Sequence, residues 1–254
     1  SPNLFLFQNM LSIIDIGNAN QPMQDDNGVI TYNGEVYNYR QLKFPDVQYN
    51  LHSDTEVLLK GLNKEYIPFL SKTNSMFGFG YYNKASKVIT ICRDRIGIKP
   101  IYFINTDEVF AFASTITPLA MFSAKRLNHT KLWHFYLNSA FQAQATIMDD
   151  IFELEAGSYI EFDTKNNSIS ASKKWWQRKP LENLYTKEDE VINTIEELLK
   201  DSIKNRLVAD VPVGLFLSGG VDSSLVAALT AQQSSNLNAF TVSFYDENYD
   251  ESSY

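Results

Sequence analysis

Nine consecutive residues, Phe216-Leu217-Ser218-Gly219-Gly220-Val221-Asp222-Ser223-Ser224, carry the densest chemistry in the chain. Two adjacent glycines let a ligand approach the main chain closely. The hydroxyls of Ser218, Ser223 and Ser224 can donate hydrogen bonds, and Asp222 can hold a cation that accompanies a phosphate. This residue set suits an anion of the phosphate type. It works only where a strand ends before the glycines and a helix begins after them, because the first-turn N–H groups of that helix supply the positive end. Val213 to Leu217 is the apolar run expected of the strand, and Leu225 to Gln233 is compatible with the helix. The Gly-Lys-Ser/Thr ending of a Walker A loop is absent, and Val221-Asp222-Ser223 stands in its place. The competing reading is a glycine turn with a serine-rich helix cap.

Around this loop the pattern predicts helix, strand, helix, strand. Thr186, with Asp189 three residues on, reads as a capping box. Val191, Ile195, Leu198, Leu199 and Leu207 then share one helical face. Acidic residues open that helix and Lys200, Lys204 and Arg206 close it, as the helix dipole favours. Ala239 to Phe244 reads as the second strand. The order is that of an opening doubly wound parallel sheet, unfinished at Tyr254.

The preceding residues read differently. Leu4 to Phe7 is predicted as a strand already under way in a chain with no initiator methionine, so a fragment is expected. Val29 to Tyr32 is a strand ended by Asn33-Gly34, and Glu35 to Leu42 reads as a turn into a helix. Ser53 is an N-cap with Glu56 as capping-box partner, and Val57, Leu58 and Leu62 form the apolar face behind it. Met76–Tyr82 with Lys87–Cys92, and Ile101–Ile104 with Val109–Ala113, read as antiparallel pairs. Short helices follow at 117–122 and 130–137, and late strands at 159–162 and 168–171. Strands precede few helices, so this part is α+β.

The 254 residues, 44% hydrophobic with 14 Tyr and 17 Phe, are globular in composition. A net charge of −8 without a basic block argues against a nucleic-acid partner. No apolar run approaches a membrane span and no secretory signal is visible. The single cysteine excludes an internal disulfide and fits a reducing, cytoplasmic setting. Cys92 sits in a strand-like run as a small buried hydrophobe, and the three histidines lack metal-ligand spacing.

Five motifs in order precede the glycine loop. They are Leu11-Ser12-Ile13-Ile14-Asp15 with Gln21-Pro22, Asn33-Gly34-Glu35-Val36-Tyr37-Asn38, Ser53-Asp54-Thr55-Glu56-Val57, Met76-Phe77-Gly78-Phe79, and Arg93-Asp94-Arg95-Ile96-Gly97-Ile98-Lys99-Pro100-Ile101-Tyr102. Together they resemble class II glutamine amidotransferase domains. The Ser-Gly-Gly-Val-Asp-Ser loop resembles that of ATP pyrophosphatases, and the combined order resembles glutamine-hydrolysing asparagine synthetases.

The resemblance implies an α+β N-terminal-nucleophile-type sandwich (αββα) over residues 1–176, lacking its first strand. A linker over 177–186 and an incomplete α/β Rossmann-like ATP-binding domain over 187–254 would follow. It implies that Asn33 and Gly34 form an oxyanion hole, and that Leu11, Ile13, Glu35 and Asp54 bind glutamine with them, Asp54 holding the α-amino group. Phe216, Leu217, Ser218, Gly219, Gly220, Asp222, Ser223 and Val242 would bind ATP, with Asp222 holding Mg2+ through pyrophosphate. The implied substrates are glutamine, aspartate and ATP, joined through a β-aspartyl-adenylate, in a cytoplasmic enzyme that binds neither nucleic acid nor membrane. Oligomeric state stays open, a homodimer included. The family's nucleophile is a cysteine at the first residue of the mature domain, which these residues do not contain, so the chain alone is expected to be inactive as a glutaminase. Two departures stand out. Met10 occupies the place of an arginine that grips the substrate carboxylate, and Thr115 stands where glutamate is common. The acceptor is not legible, so a sibling amidotransferase acting on another carboxylate and a non-catalytic fragment remain alternatives.

Overall fold

The computed structural model describes residues 4–10, 13–124, 127–141, 144–180, 187–234 and 237–246. Its contacts divide the chain after Arg178 into two units. The first holds β1 (Met23–Gln24), β2 (Gly28–Val36), α1 (Asp54–Glu65), β3 (Ser75–Asn83), β4 (Val88–Arg93), β5 (Tyr102–Asn105), β6 (Phe110–Ala113) and α2 (Thr117–Ala120). It continues with α3 (His129–Asn138), β7 (Ile151–Glu153), β8 (Ser158–Asp163), β9 (Ser168–Ile169) and β10 (Lys173–Lys174). One sheet runs β1-β2-β3-β4-β8-β10 with β9 beside β8, and a second runs β6-β5-β7. Every pairing in this unit is antiparallel.

Register explains the layering. Ile30 lies opposite Tyr81 and Tyr32 opposite Phe79, and directly opposed residues share a face. That face is apolar and buried, and α1 covers it through Val57, Leu58 and Leu62. Each such leucine contributes roughly 1.5–3 kcal/mol by leaving water. Tyr81 sits under the helix and donates from its hydroxyl to Asn63 Oδ1 at 2.8 Å. The opposite face carries Ile89, Ile91, Ile160 and Phe162, which pack with Ile101, Leu154 and the phenylalanines of β5 and β6. Gly80 is required there, because a Cβ would overlap the Phe112 ring of the second sheet. Ile104 and Ile151, on the outer side of that sheet, pack with Leu119 of α2. The result is four layers: α1, sheet, sheet, α2.

The second unit contains α4 (Glu188–Arg206), β11 (Gly214–Phe216), α5 (Val221–Ala231) and β12 (Asn238–Phe240). β11 and β12 pair in parallel, Leu215 opposite Ala239, with α5 between them in sequence. This is a single β-α-β step.

Several expectations need correction. Asn33-Gly34 is not a turn: β2 continues through both to Val36, because β3 offers a ladder partner at every position and pairing outweighs local turn preference. The helix expected within 35–42 is reduced to a 3-10 turn over Tyr39–Leu42. Leu4 to Phe7 alternates in burial like a strand but has no ladder among the described residues, and Phe5 and Phe7 lie exposed. Ser53 caps α1 as expected, accepting from Thr55 N at 3.1 Å. Glu56 instead accepts from Asn50 N and Leu51 N, so it anchors the approach to the helix. The short strands β1, β7 and β10 were too brief to read. In α4 only Ile203 is buried among the described residues, and Ile195 and Leu198 are exposed. Thr186 and most of the expected linker lie outside the described residues.

Candidate functional site

The geometry of one strand edge builds the first site. β1 covers β2 only at Val29 and Ile30, so from Thr31 onward no described strand pairs with that edge. Side chains fill the gap. Tyr32 N donates to Gln21 Oε1 at 2.6 Å, and Val36 N donates to Asp54 Oδ2 at 3.0 Å. Peptide N–H groups alternate in direction along a strand, so the Gly34 N–H points the same way, between these two. It opens into a cavity of about 250 Å³ whose wall includes Asn33, Gly34, Glu35 and Asp54. Glycine is needed at position 34, since a Cβ would overlap the Met76 carbonyl oxygen of β3.

Two buried carboxylates face this cavity. Asp54, the first residue of α1, is oriented by three donors: the Tyr32 hydroxyl at 3.0 Å, Val36 N and, more loosely, Thr55 Oγ1 at 3.4 Å. Burial pushes its pKa up, and these hydrogen bonds oppose the push. Burial also pushes the Tyr32 hydroxyl well up, and the neighbouring Asp54 adds to that. Glu35 is pushed up to about 7, first by burial and then by the Asp54 charge, while Lys99 pulls it down. Lys99 lies on the same wall. An N–H donor, an amide side chain and two carboxylates around a small cavity can bind a carbonyl oxygen at one end and an ammonium at the other.

The Arg93–Tyr102 motif positions that wall. Asp94 is buried, and its carboxylate accepts from Phe77 N, Ile96 N, Ile98 N and Lys99 N at 2.9–3.2 Å. Arg93 wraps the same loop, donating to the carbonyls of Gly97, Lys99 and Leu154 and pairing with Glu153 at 2.8 Å. Gly97 takes a left-handed conformation (φ 74°) that closes the turn. Arg93 and Asp94 therefore shape a loop, and Lys99 is the charged residue of the motif that lines the cavity.

Of the expected glutamine-site residues, the structure brings Ile13, Asn33, Gly34, Glu35 and Asp54 together. Leu11 lies outside the described residues. Sequence reasoning gave no role to Tyr32, Gln21 or Lys99. Period-two alternation along β2 was the available signal for Tyr32, masked by the assumption that the strand stopped there. Met10 also lines the cavity, its sulfur 3.7 Å from Gln21 Nε2. Thr115 has no explanation in the structure. Cys92 is fully buried in β4, and burial pushes its thiol well up, so it is no nucleophile.

The second site is the glycine loop. β11 ends at Phe216, Gly219 is left-handed (φ 81°), and Gly220 caps α5 with extended backbone. Ser223 Oγ donates to Gly220 O at 3.0 Å and accepts from Ser218 N at 3.3 Å, with Ser218 Oγ 3.1 Å away. The two hydroxyls thus meet over the helix start, where first-turn N–H groups face outward. Asp222 and Val221 are exposed in that first turn. Thr241 Oγ1 donates to Leu217 O at 2.6 Å and ties the segment after β12 to the loop, with Val242 next to it and exposed. β12 itself stops at Phe240, short of the expected Phe244.

This donor set fits a phosphate chain. A magnesium ion accompanying such a phosphate chain would share Asp222 and phosphate oxygens, as magnesium commonly uses one or two carboxylates plus phosphates. Among the described residues no cluster of three His, Cys, Asp or Glu could hold a metal by itself.

Comparison with known proteins gives two family matches. Residues 2–176 match the glutamine amidotransferase domain model, and residues 194–254 match the asparagine synthase model. Among curated proteins the chain is 33% identical over 251 residues to asparagine synthetase [glutamine-hydrolyzing] 2 of Bacillus subtilis, covering 91% of this chain and 33% of that one. It is 31% identical over 250 residues to asparagine synthetase [glutamine-hydrolyzing] 1 of the same organism, covering 95% and 39%. The chain therefore spans between a third and two fifths of the length of these relatives. Among solved structures, the glutamine phosphoribosylpyrophosphate amidotransferase of B. subtilis aligns over 87% of this chain and 48% of its own. That alignment has 14% identity and a TM-score of 0.41.

Proposed function

This chain belongs to the glutamine amidotransferase domain family, and on that premise we propose that it is part of a glutamine-hydrolysing asparagine synthetase. The observation that carries the reading is the convergence of the Gly34 N–H, Asn33, Glu35 and Asp54 on one cavity at an unpaired strand edge. In this reading the four-layered unit is an N-terminal-nucleophile-type sandwich that hydrolyses glutamine to glutamate and ammonia. Asn33 and the Gly34 N–H hold the oxyanion formed when a nucleophile adds to the γ-amide carbon. Asp54 and Glu35 hold the α-ammonium group, and Ile13 packs beside the chain of the substrate.

The second unit opens a Rossmann-like parallel sheet that binds ATP with magnesium. Ser218, Gly219, Gly220 and Ser223 cradle the phosphates, and Asp222 holds magnesium through pyrophosphate. Phe216, Leu217 and Val242 lie by the nucleoside. Aspartate attacks the α-phosphate, pyrophosphate leaves, and ammonia then displaces AMP from the β-aspartyl-adenylate to give asparagine. The match of residues 194–254 to the asparagine synthase model supports this half. No described helix is long and apolar enough to cross a membrane. A reduced thiol and ATP as substrate go with a cytoplasmic enzyme.

The binding half has a pH signature. A protonated Glu35 cannot hold an ammonium, and its pKa in the empty cavity is about 7. The groups facing it are Asp54 from α1, Tyr32 from its own strand and Lys99 from the loop after β4. Glutamine affinity is expected to fall about tenfold per pH unit below 7 and to level off above it, since one proton must leave for each ligand bound. Calorimetric titration between about pH 5.5 and pH 8 reads this. Glu35→Gln should flatten the profile. An affinity unchanged across the range would overturn the assignment of Glu35 to the ammonium.

A further inference from the structure

Among the described residues that line the cavity, three are charged: Glu35, Asp54 and Lys99. An α-amino acid brings one ammonium and one carboxylate into such a space. The two acids account for the ammonium. A carboxylate entering the same small cavity without a cation would lose its water uncompensated. Met10 and Ile13, on the wall, offer nothing to it, and the side chains of Gln8, Asn9 and Ser114 are polar but uncharged. Lys99 is held for the task through its backbone: Asp94 Oδ2 accepts from Lys99 N at 2.9 Å, and Arg93 Nε donates to Lys99 O at 3.0 Å. The main chain of Lys99 is thus fixed from both sides at the cavity wall, within electrostatic reach of Glu35.

We propose that Lys99 is the residue that recognises the α-carboxylate of the amino-acid amide and so restricts the site to free glutamine. This rests on the glutaminase reading of the cavity. In the empty site Lys99 offsets the charge of Glu35, since it acts against the upward push on that group. On binding, the ligand carboxylate takes over Lys99 while the ligand ammonium takes over Glu35 and Asp54. Each charge of the ligand then meets an opposite charge of the wall, which favours a zwitterion over an amide carrying only one of the two groups.

The test is calorimetric titration of the 254-residue chain with L-glutamine and with 4-aminobutanamide, which is glutamine without its carboxylate. The parent chain is expected to bind glutamine about thirtyfold or more tightly than 4-aminobutanamide, the loss typical of one missing partner of a desolvated charge pair. At about pH 8.5, where Glu35 stays ionised, Lys99→Met should weaken glutamine by that factor and leave 4-aminobutanamide nearly unchanged, and Lys99→Arg should restore most of the preference. Thermal melting of each variant separates loss of recognition from loss of fold. A Lys99→Met chain that melts like the parent and keeps the full preference for glutamine overturns the role of Lys99 while leaving the cavity reading intact. A parent chain that binds neither ligand overturns the cavity reading, and the role of Lys99 with it.

Discussion

Asn33→Ala is expected to lower glutamine turnover by about a hundredfold or more in an enzyme that carries its nucleophile, the usual cost of one lost oxyanion donor. Ammonia-dependent asparagine formation should survive. The prediction follows from where Asn33 stands. It lies within β2 beside Gly34, at an edge whose neighbouring N–H groups are already taken by Gln21 and Asp54. Donors fixed in a sheet need no reorganisation as negative charge develops on the amide oxygen, which is why their removal costs rate more than affinity. The expected pattern is therefore a fall in kcat with a modest change in KM for glutamine. Parallel loss of the glutamine- and ammonia-dependent reactions would show Asn33 to be a structural residue of the strand.

Asp222→Asn is expected to abolish ATP-dependent synthesis with either nitrogen source while leaving glutaminase activity and melting nearly unchanged. The side chain is exposed in the first turn of α5, where a carboxylate gains about 1 kcal/mol or less from the helix dipole. Removing the charge is thus cheap for the fold. The expected loss lies in the chemistry: the Ser218 and Ser223 hydroxyls meet over the helix start, and Asp222 is the loop's carboxylate, suited to hold a cation beside a phosphate. Pyrophosphate release at the parent rate by the asparagine variant would leave Asp222 as a helix-start residue.

Much of the fold was legible because it rests on short-range pattern. The pairs β3 with β4 and β5 with β6 follow from two apolar runs around a polar turn, and the Ser53 cap announces α1. What escaped reading depends on partners distant in sequence. Asn33-Gly34 has the composition of a turn, yet it is held extended by a strand more than forty residues away. Glu56 has the spacing of a capping-box residue, yet the incoming loop claims its carboxylate. For the first site, the motifs named residues that the structure brings to one cavity but could not show why they converge. Among the described residues, the Gly34 N–H is available because the pairing of β1 along β2 ends at Ile30. Likewise Lys99 reads as one residue of a charged motif, and only the Asp94 hub shows that its neighbours shape the loop while it faces the cavity.

The Gly34 amide reports directly on the cavity at that strand edge. In two-dimensional amide NMR of the chain titrated with L-glutamine, the Gly34 and Glu35 resonances are expected to shift together and saturably. Gly157, near Trp176 and outside the cavity lining, should stay in place. Asp54→Asn should move the saturation point to much higher glutamine. Shifts that leave Gly34 untouched, or that saturate equally in Asp54→Asn, would contradict a glutamine site at this edge.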